Sequence, residues 1–354
     1  MKSLFKYISS ALAIAVLGAT MTSCDDWTEP EHVDLNFGTV EDSPNYQKYL
    51  ENLRAYRQKD HKKIYVWFDN VTDAFGTQGD RISAVPDSVD VIVLQNPDGV
   101  TNQMQAEMKK LSEQKGIEFG YCISFSAIRA AWTLTCEDLA AKRLDWEKEY
   151  GDAPVPAELQ DPDFSVFLID YWTAKLRYFN SVGFDCLMAA YDGKATNHMT
   201  PAELAEYTAQ TALFFNILND WHQRNPEVAI DYVGRPQYVA DLDIVNDFRQ
   251  VFLSGSLDAT SYDGLTQVYA AVQGSVPDSK IGMVAAFRAL DTTADPKTGF
   301  FADGTLAVEG LGTWAAAHNV GAAGVTNVSN DYFVTNGQYT TIRQFIQKIN
   351  PAAK

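Results

Sequence analysis

Residues 183–192, GFDCLMAAYD, carry two acids, Asp185 and Asp192, separated by six uncharged residues. In an extended strand those acids lie about 23 Å apart and on opposite faces. Two carboxylates that share one acid–base reaction on a sugar sit roughly 5–10 Å apart, so this pair cannot form such a dyad. Alternation puts Met188, Ala190 and Asp192 on one face and Leu187, Ala189 and Tyr191 on the other. The first column ends in a single carboxylate. An acid at that position can act on a ligand, or it can cap a helix or sit in solvent.

Other chemistry is poorly represented. The five histidines (His32, His61, His198, His222, His318) are scattered without HxxxH or HExxH spacing, so a zinc site is not expected. No cofactor motif follows the first strand either, since G-x-G-x-x-G is missing there. The formal charge of −18 comes without a basic stripe, which argues against nucleic acid as a partner. Neutral ligands such as sugars suit an acidic, aromatic-rich surface, although acidity alone also serves solubility.

The N-terminus reads as an export signal over residues 1–23. Lys2 and Lys6 precede the apolar run ISSALAIAVLGATM, which is too short for a stable membrane span. Cys24 closes the segment in the manner of a bacterial lipoprotein box, which makes it the expected site of lipid attachment and membrane anchoring. The following DDWTEPE resembles an acidic surface-export signal of Bacteroidetes, and any solvated tether has similar composition. Residues 24–45 are read as that tether. Only Cys122, Cys136 and Cys186 follow Cys24, too few for a disulfide framework.

The elements that must position Asp192 follow from periodicity. Apolar runs at 63–70, 89–97, 117–125, 184–192, 227–234, within 243–253, at 280–290 and within 321–331 predict eight strands. Amphipathic helices alternate with them. Ile169, Trp172, Leu176 and Phe179 mark one helix face; Leu204, Tyr207, Thr211, Leu218 and Trp221 mark another, opened by a capping box at Thr200 and Glu203. An insertion spans about 126–168 and carries Trp132 and Trp146. Strands apolar on both faces, alternating with helices eight times over residues 46–354, predict a (β/α)₈ TIM barrel.

The strand-four segment resembles the signature of glycoside hydrolase family 18, D-x-x-D-x-D-x-E within GFDG(V/I)D(I/L)DYE. More narrowly, the layout and the C-terminal stretches ADGTLAVEGLGTWA and YTTIRQFIQKINPA resemble the Bacteroidetes lipoprotein branch of that family, the endo-β-N-acetylglucosaminidases and chitinases. Gly183, Phe184, Asp185 and Tyr191 are kept. The second Asp is Met188, the third is Ala190, and the acid Glu is the shorter Asp192. The resemblance implies chemistry in which the substrate's own acetamido oxygen attacks C1, the Glu protonates the leaving oxygen and the third Asp orients the acetamido group. Losing one such electrostatic partner costs on the order of 10²–10³ in rate, and a displacement of about 1 Å in the acid a further 10² or so.

The resulting expectation is a surface lipoprotein that binds glycans, such as N-acetylglucosamine-containing ones, and lacks catalysis, with positions 188, 190 and 192 degenerate. Two rivals stay open: a residual endo-β-N-acetylglucosaminidase using Asp192 as acid, and a non-binding scaffold subunit that partners outer-membrane glycan-uptake proteins. Barrel ligands meet the C-terminal strand ends. There Asp69, Gln95, Asn96, Tyr191, Asp192, Asn327 and Asp331 are the expected sugar contacts, with Asn70, Ser124, Phe125 and Asn330 beside them. Asn and Asp are also the commonest turn residues. Trp132, Trp146 and Trp172 suit packing as well as sugar stacking.

Overall fold

The computed structural model describes residues 43–239 and 242–351. The expected signal, Cys24 and almost all of the tether lie outside them. The chain divides into two compact units, residues 1–49 and 50–354, and the barrel belongs wholly to the second. No helix among the described residues is long and apolar enough to cross a membrane.

Eight parallel strands close into a barrel in chain order: β1 Lys63–Phe68, β2 Val91–Leu94, β3 Glu118–Ser124, β4 Cys186–Tyr191, β5 Ala229–Gly234, β6 Val251–Leu253, β7 Ile281–Ala286 and β8 Ala322–Thr326. β8 pairs back onto β1 with Lys63 opposite Ala322, which completes the predicted (β/α)₈ architecture. The helices are α1 Pro44–Arg57, α2 Asn102–Lys115, α3 Phe125–Tyr150, α4 Phe164–Val182, α5 Pro201–Arg224, α6 Tyr262–Ala270, α7 Ala307–Ala317, α8 Ser329–Val334 and α9 Thr340–Ile349.

Local chemistry accounts for the helix ends. Thr200 Oγ1 accepts from Glu203 N at 3.3 Å while the Glu203 carboxylate accepts from Thr200 N at 2.8 Å, and Pro201 occupies the first turn. α4 stops at Gly183, whose φ of 84° is left-handed and open to glycine at little cost. The stretch expected as an insertion is α3, capped by Ser124, together with the loop that returns to α4. Two helix faces keep most of their expected residues buried, Trp172 and Phe179 on α4 and Thr211, Leu218 and Trp221 on α5, and differ at their edges. α4 buries Leu168 while Ile169 is exposed, and α5 buries Phe214 and Phe215 while Leu204 is exposed.

Two apolar layers result. Outward residues such as Leu187, Ala189 and Tyr191 pack against the helices. Inward residues of the eight strands, among them Tyr65, Trp67, Cys122, Met188, Phe252 and Val284, fill the lumen. The large rings fit because glycines face them. A Cβ on Gly282 would lie 2.6 Å from Phe252 and one on Gly324 2.6 Å from Trp67. Trp67 and Phe252 meet edge to face at 5.4 Å, a favourable geometry for aromatic pairs.

Candidate functional site: the C-terminal mouth of the barrel

The lumen floor decides what the mouth can do. Met188 is fully buried among Trp67, Phe252 and their neighbours. One step outward along the same column comes Ala190, half-buried. Asp192 follows, exposed, its carboxylate accepting a hydrogen bond from Ser254 Oγ at the end of β6. This column therefore offers one carboxylate, at solvent level, above an apolar floor.

Asp185 does not join it. Its Oδ2 accepts from Phe119 N at 2.9 Å and its own N–H donates to Phe119 O at 2.9 Å, so it clamps β4 to β3. Burial pushes its carboxyl above the ordinary range.

At the ends of β1 and β2, Asp69, Gln95 and Asn96 come together. All three are exposed. Asn96 Nδ2 donates to Asp69 Oδ1 at 3.2 Å and to Asn70 O at 2.9 Å, while buried Asn70 bonds the Asn96 backbone at 2.8 Å in both directions. Asn70 thus zips the two strand ends, and Asp69 and Gln95 are left facing solvent.

Tyr191 and Asp331 are not brought to this group. Tyr191 is 2 % exposed and outward-facing; its hydroxyl meets Tyr207 and, at 3.1 Å, Thr211 of α5, and its ring packs on Phe125 and Phe215. The parity that sends Asp192 inward sends Tyr191 into the helix layer. Asp331 lies within α8, fully buried, and its Oδ2 accepts from Ile342 N at 2.9 Å in the first turn of α9. Burial raises its pKa. Asn327 is half-buried in the turn after β8, in the left-handed region at φ 55° that Asn tolerates.

The tryptophans pack. Trp132 Nε1 donates to Pro162 O at 2.9 Å with its ring on Phe164, Trp146 stacks on Tyr150 at 4.0 Å, and Trp172 is buried. The thiols facing the lumen are inert, since burial pushes Cys122 up to about 12 and Cys186 well above its ordinary value.

Beside Asp192 a cleft of about 470 Å³ opens between the starts of α3 and α5. Phe125, Arg129, Tyr207 and Gln210 line it, with the Arg129 guanidinium donating to Gln210 and lying 4.9 Å from the Phe164 ring. Ring faces, the Gln210 amide and the carboxylates of Asp192, Glu203 and Glu206, the last accepting from Gln210 Nε2 at 2.7 Å, can hold sugar hydroxyls and C–H faces.

Arg129 and Ser254 were missed from the sequence. Ser254 had a faint signal, being a polar residue at inward parity just beyond an apolar strand. Arg129 had none, because its meeting with Gln210 depends on how two distant helices pack.

Residues 28–348 match the sequence model of glycoside hydrolase family 18, BT1044-like. Among solved structures the chain is similar to a selenomethionine Glu-to-Gln variant of BT1044, at 15 % identity and a TM-score of 0.61, over 87 % of this chain and 94 % of that one. It is also similar to the endo-β-N-acetylglucosaminidase of Cordyceps militaris in apo form, at 14 % identity and a TM-score of 0.55, over 86 % and 96 % of the two chains. A double variant of that enzyme in complex with fucosyl-N-acetylglucosamine-Asn gives 14 % identity and a TM-score of 0.53, over 85 % and 95 %. No curated protein sequence matches. At these identities the structural likeness carries the fold.

Proposed function

We propose that this chain, which belongs to glycoside hydrolase family 18 in its BT1044-like group, holds glycan at the barrel mouth without cleaving it. The observation that carries the reading is the β4 column. Met188 is sealed into an aromatic floor, Ala190 has no polar atom, and the one remaining carboxylate is an exposed Asp already engaged by Ser254. Substrate-assisted cleavage requires an acid to protonate the leaving oxygen and a neighbour to orient the acetamido group. The second is missing and the first is one methylene short.

Affinity needs neither. Hydrogen bonds and ring contacts hold a sugar without a proton donor, and an apolar floor avoids stranding buried carboxylates when a neutral ligand expels water. N-acetylglucosamine-containing glycans are the proposed ligand class, by analogy with the Cordyceps militaris enzyme and its bound fucosyl-N-acetylglucosamine-Asn. Titration calorimetry with a chitobiose-core N-glycan tests this. Asp192→Ala combined with Gln95→Ala should weaken binding by about 1–3 kcal/mol. Full affinity in that variant would move the ligand off the mouth.

Presentation at the outer membrane through a lipid on Cys24 completes the proposal. Cys24→Ala should shift the protein from membrane to soluble fractions, and unchanged membrane attachment would overturn it.

A further inference from the structure

The half-buried arginines among the described residues are almost all paired. Half-buried Arg57, Arg81, Arg129, Arg143, Arg235 and Arg249 each bond a carboxylate, an amide oxygen or a carbonyl. Arg288 is the exception. It is the one half-buried Lys or Arg among the described residues whose side chain has no hydrogen bond, ion pair or ring contact. A partly desolvated guanidinium with no acceptor is costly, and partners usually accompany it.

Its backbone, by contrast, is held from two sides. Asn330 Nδ2 donates to Arg288 O at 3.0 Å. Gly299 lies across the opposite side, with φ of 81°, where a Cβ would come within 2.4 Å of Arg288 Cα and N. The residue is fixed in place while its donors stay free.

Arg288 follows β7 at inward parity and lines a cleft of about 940 Å³ on the β6–β7 side of the mouth, walled by the loop 287–306. That loop far exceeds the usual ~2–6 residues of a strand-to-helix connection, a length commonly kept for binding. Thr260, Thr292 and Thr298 supply hydroxyls, and exposed Lys297 adds a second cation without a partner. Nearby acids keep their charge but are held by groups other than Arg288. Asp258 bonds Arg235 at 3.0 Å, Asp291 accepts from Thr293 N at 2.9 Å, Asp295 from Thr298 N at 3.1 Å and Asp303 from Thr305 N at 2.9 Å. In a chain of charge −18, an anion is attracted where cations such as Arg288 and Lys297 make no direct ion pair.

We infer that this cleft is an anion subsite in which Arg288 takes a carboxylate or sulfate carried by the glycan. The guanidinium presents paired donors matched to either planar carboxylate or sulfate oxygens. This rests on the glycan-holding reading above and adds to it a preference for acidic over neutral ligands.

Calorimetry at physiological salt decides it with three probes: a sialylated biantennary N-glycan, the same glycan desialylated, and the desialylated glycan bearing an N-acetylglucosamine 6-sulfate. At least one acidic form should bind roughly 10-fold or more tightly than the neutral one, as a charge-assisted bond to Arg288 would give. Which form gains tells carboxylate from sulfate. Arg288→Gln should erase the gain and leave neutral-glycan affinity unchanged, and Arg288→Lys should retain part of it. Equal wild-type affinity for all three probes, or a gain that survives Arg288→Gln, would overturn the subsite while leaving the glycan-holding reading intact. Binding of none of them overturns both.

Discussion

The two ends of this barrel treat polar groups in opposite ways. At the N-terminal end, Asp231 is fully buried and receives Arg249 Nε at 3.0 Å, Arg249 Nη2 at 2.7 Å, Tyr65 Oη at 3.0 Å and Gln250 N at 3.2 Å. Arg249 also reaches Glu118 at 2.5 Å. Burial opposes the charge on Arg249, and Asp231 more than restores it. Asp90 is gripped similarly, by Arg57 at 3.1 Å, His61 at 2.9 Å and Ile64 N at 2.8 Å. At the C-terminal end, Asp69, Gln95 and Asp192 are exposed and Arg288 is unpaired. Closed networks lock a scaffold, whereas open donors and acceptors remain available to a ligand.

The contrast breaks most visibly under truncation. Asp231→Ala should cost about 3–5 kcal/mol in denaturant unfolding, because it strands Arg249 and the Tyr65 hydroxyl. Asp192→Ala should cost no more than about 0.5 kcal/mol, as an exposed substitution. Equal losses at the two ends would erase the distinction.

Rebuilding the acidic column sharpens it. Met188→Asp buries a second carboxylate in the lumen, among Trp67 and Phe252 and opposite Asp231 in the β4–β5 register, and should cost about 3 kcal/mol or more by the same measurement. Ala190→Asp, half-buried and nearer solvent, should cost clearly less. A stable Met188→Asp protein would mean that the lumen is wetter than its packing indicates.

Smaller effects follow. Gly324→Ala drives a methyl into Trp67 and should cost about 1–3 kcal/mol, together with a shift in tryptophan fluorescence. The acid limb tests Asp90. Burial pushes its pKa up, but His61 and Ile64 N–H bonds outweigh that and leave it below the ordinary 3.8. Its stabilisation is therefore complete above about pH 4 and is lost as pH falls through the lower folded value. Asp90→Asn should differ most from wild type above pH 4, the gap narrowing below it; a gap independent of pH would contradict this.

Much of the barrel was legible because strand and helix periods are properties of short segments. Eight apolar runs and the Thr200–Glu203 box all appear in the structure. The mouth was less legible. Strand parity placed Met188 and Ala190 in the lumen, while the same parity turns Tyr191 outward, onto the wall of the cleft between α3 and α5. Asp331 is expected from the sequence as a sugar contact past strand eight, but it sits inside α8 and holds the start of α9, a contact across ten residues of turn and helix that no local pattern encodes. The N-terminal network went unseen although Asp231 stands alone in AIDYVG, an isolated acid at inward parity. Its partner Arg249 lies before the next strand, and only the closed sheet brings the two together.

The central claim is that this family-18 barrel holds glycan without cleaving it. The most direct measurement is prolonged incubation of the purified protein with a chitobiose-core N-glycan, with products followed by mass spectrometry, beside the Asp192→Asn variant. The account predicts bound, intact glycan and no released oligosaccharide from either protein. Turnover by wild type that Asp192→Asn abolishes would contradict it and make Asp192 the acid of a working glycosidase.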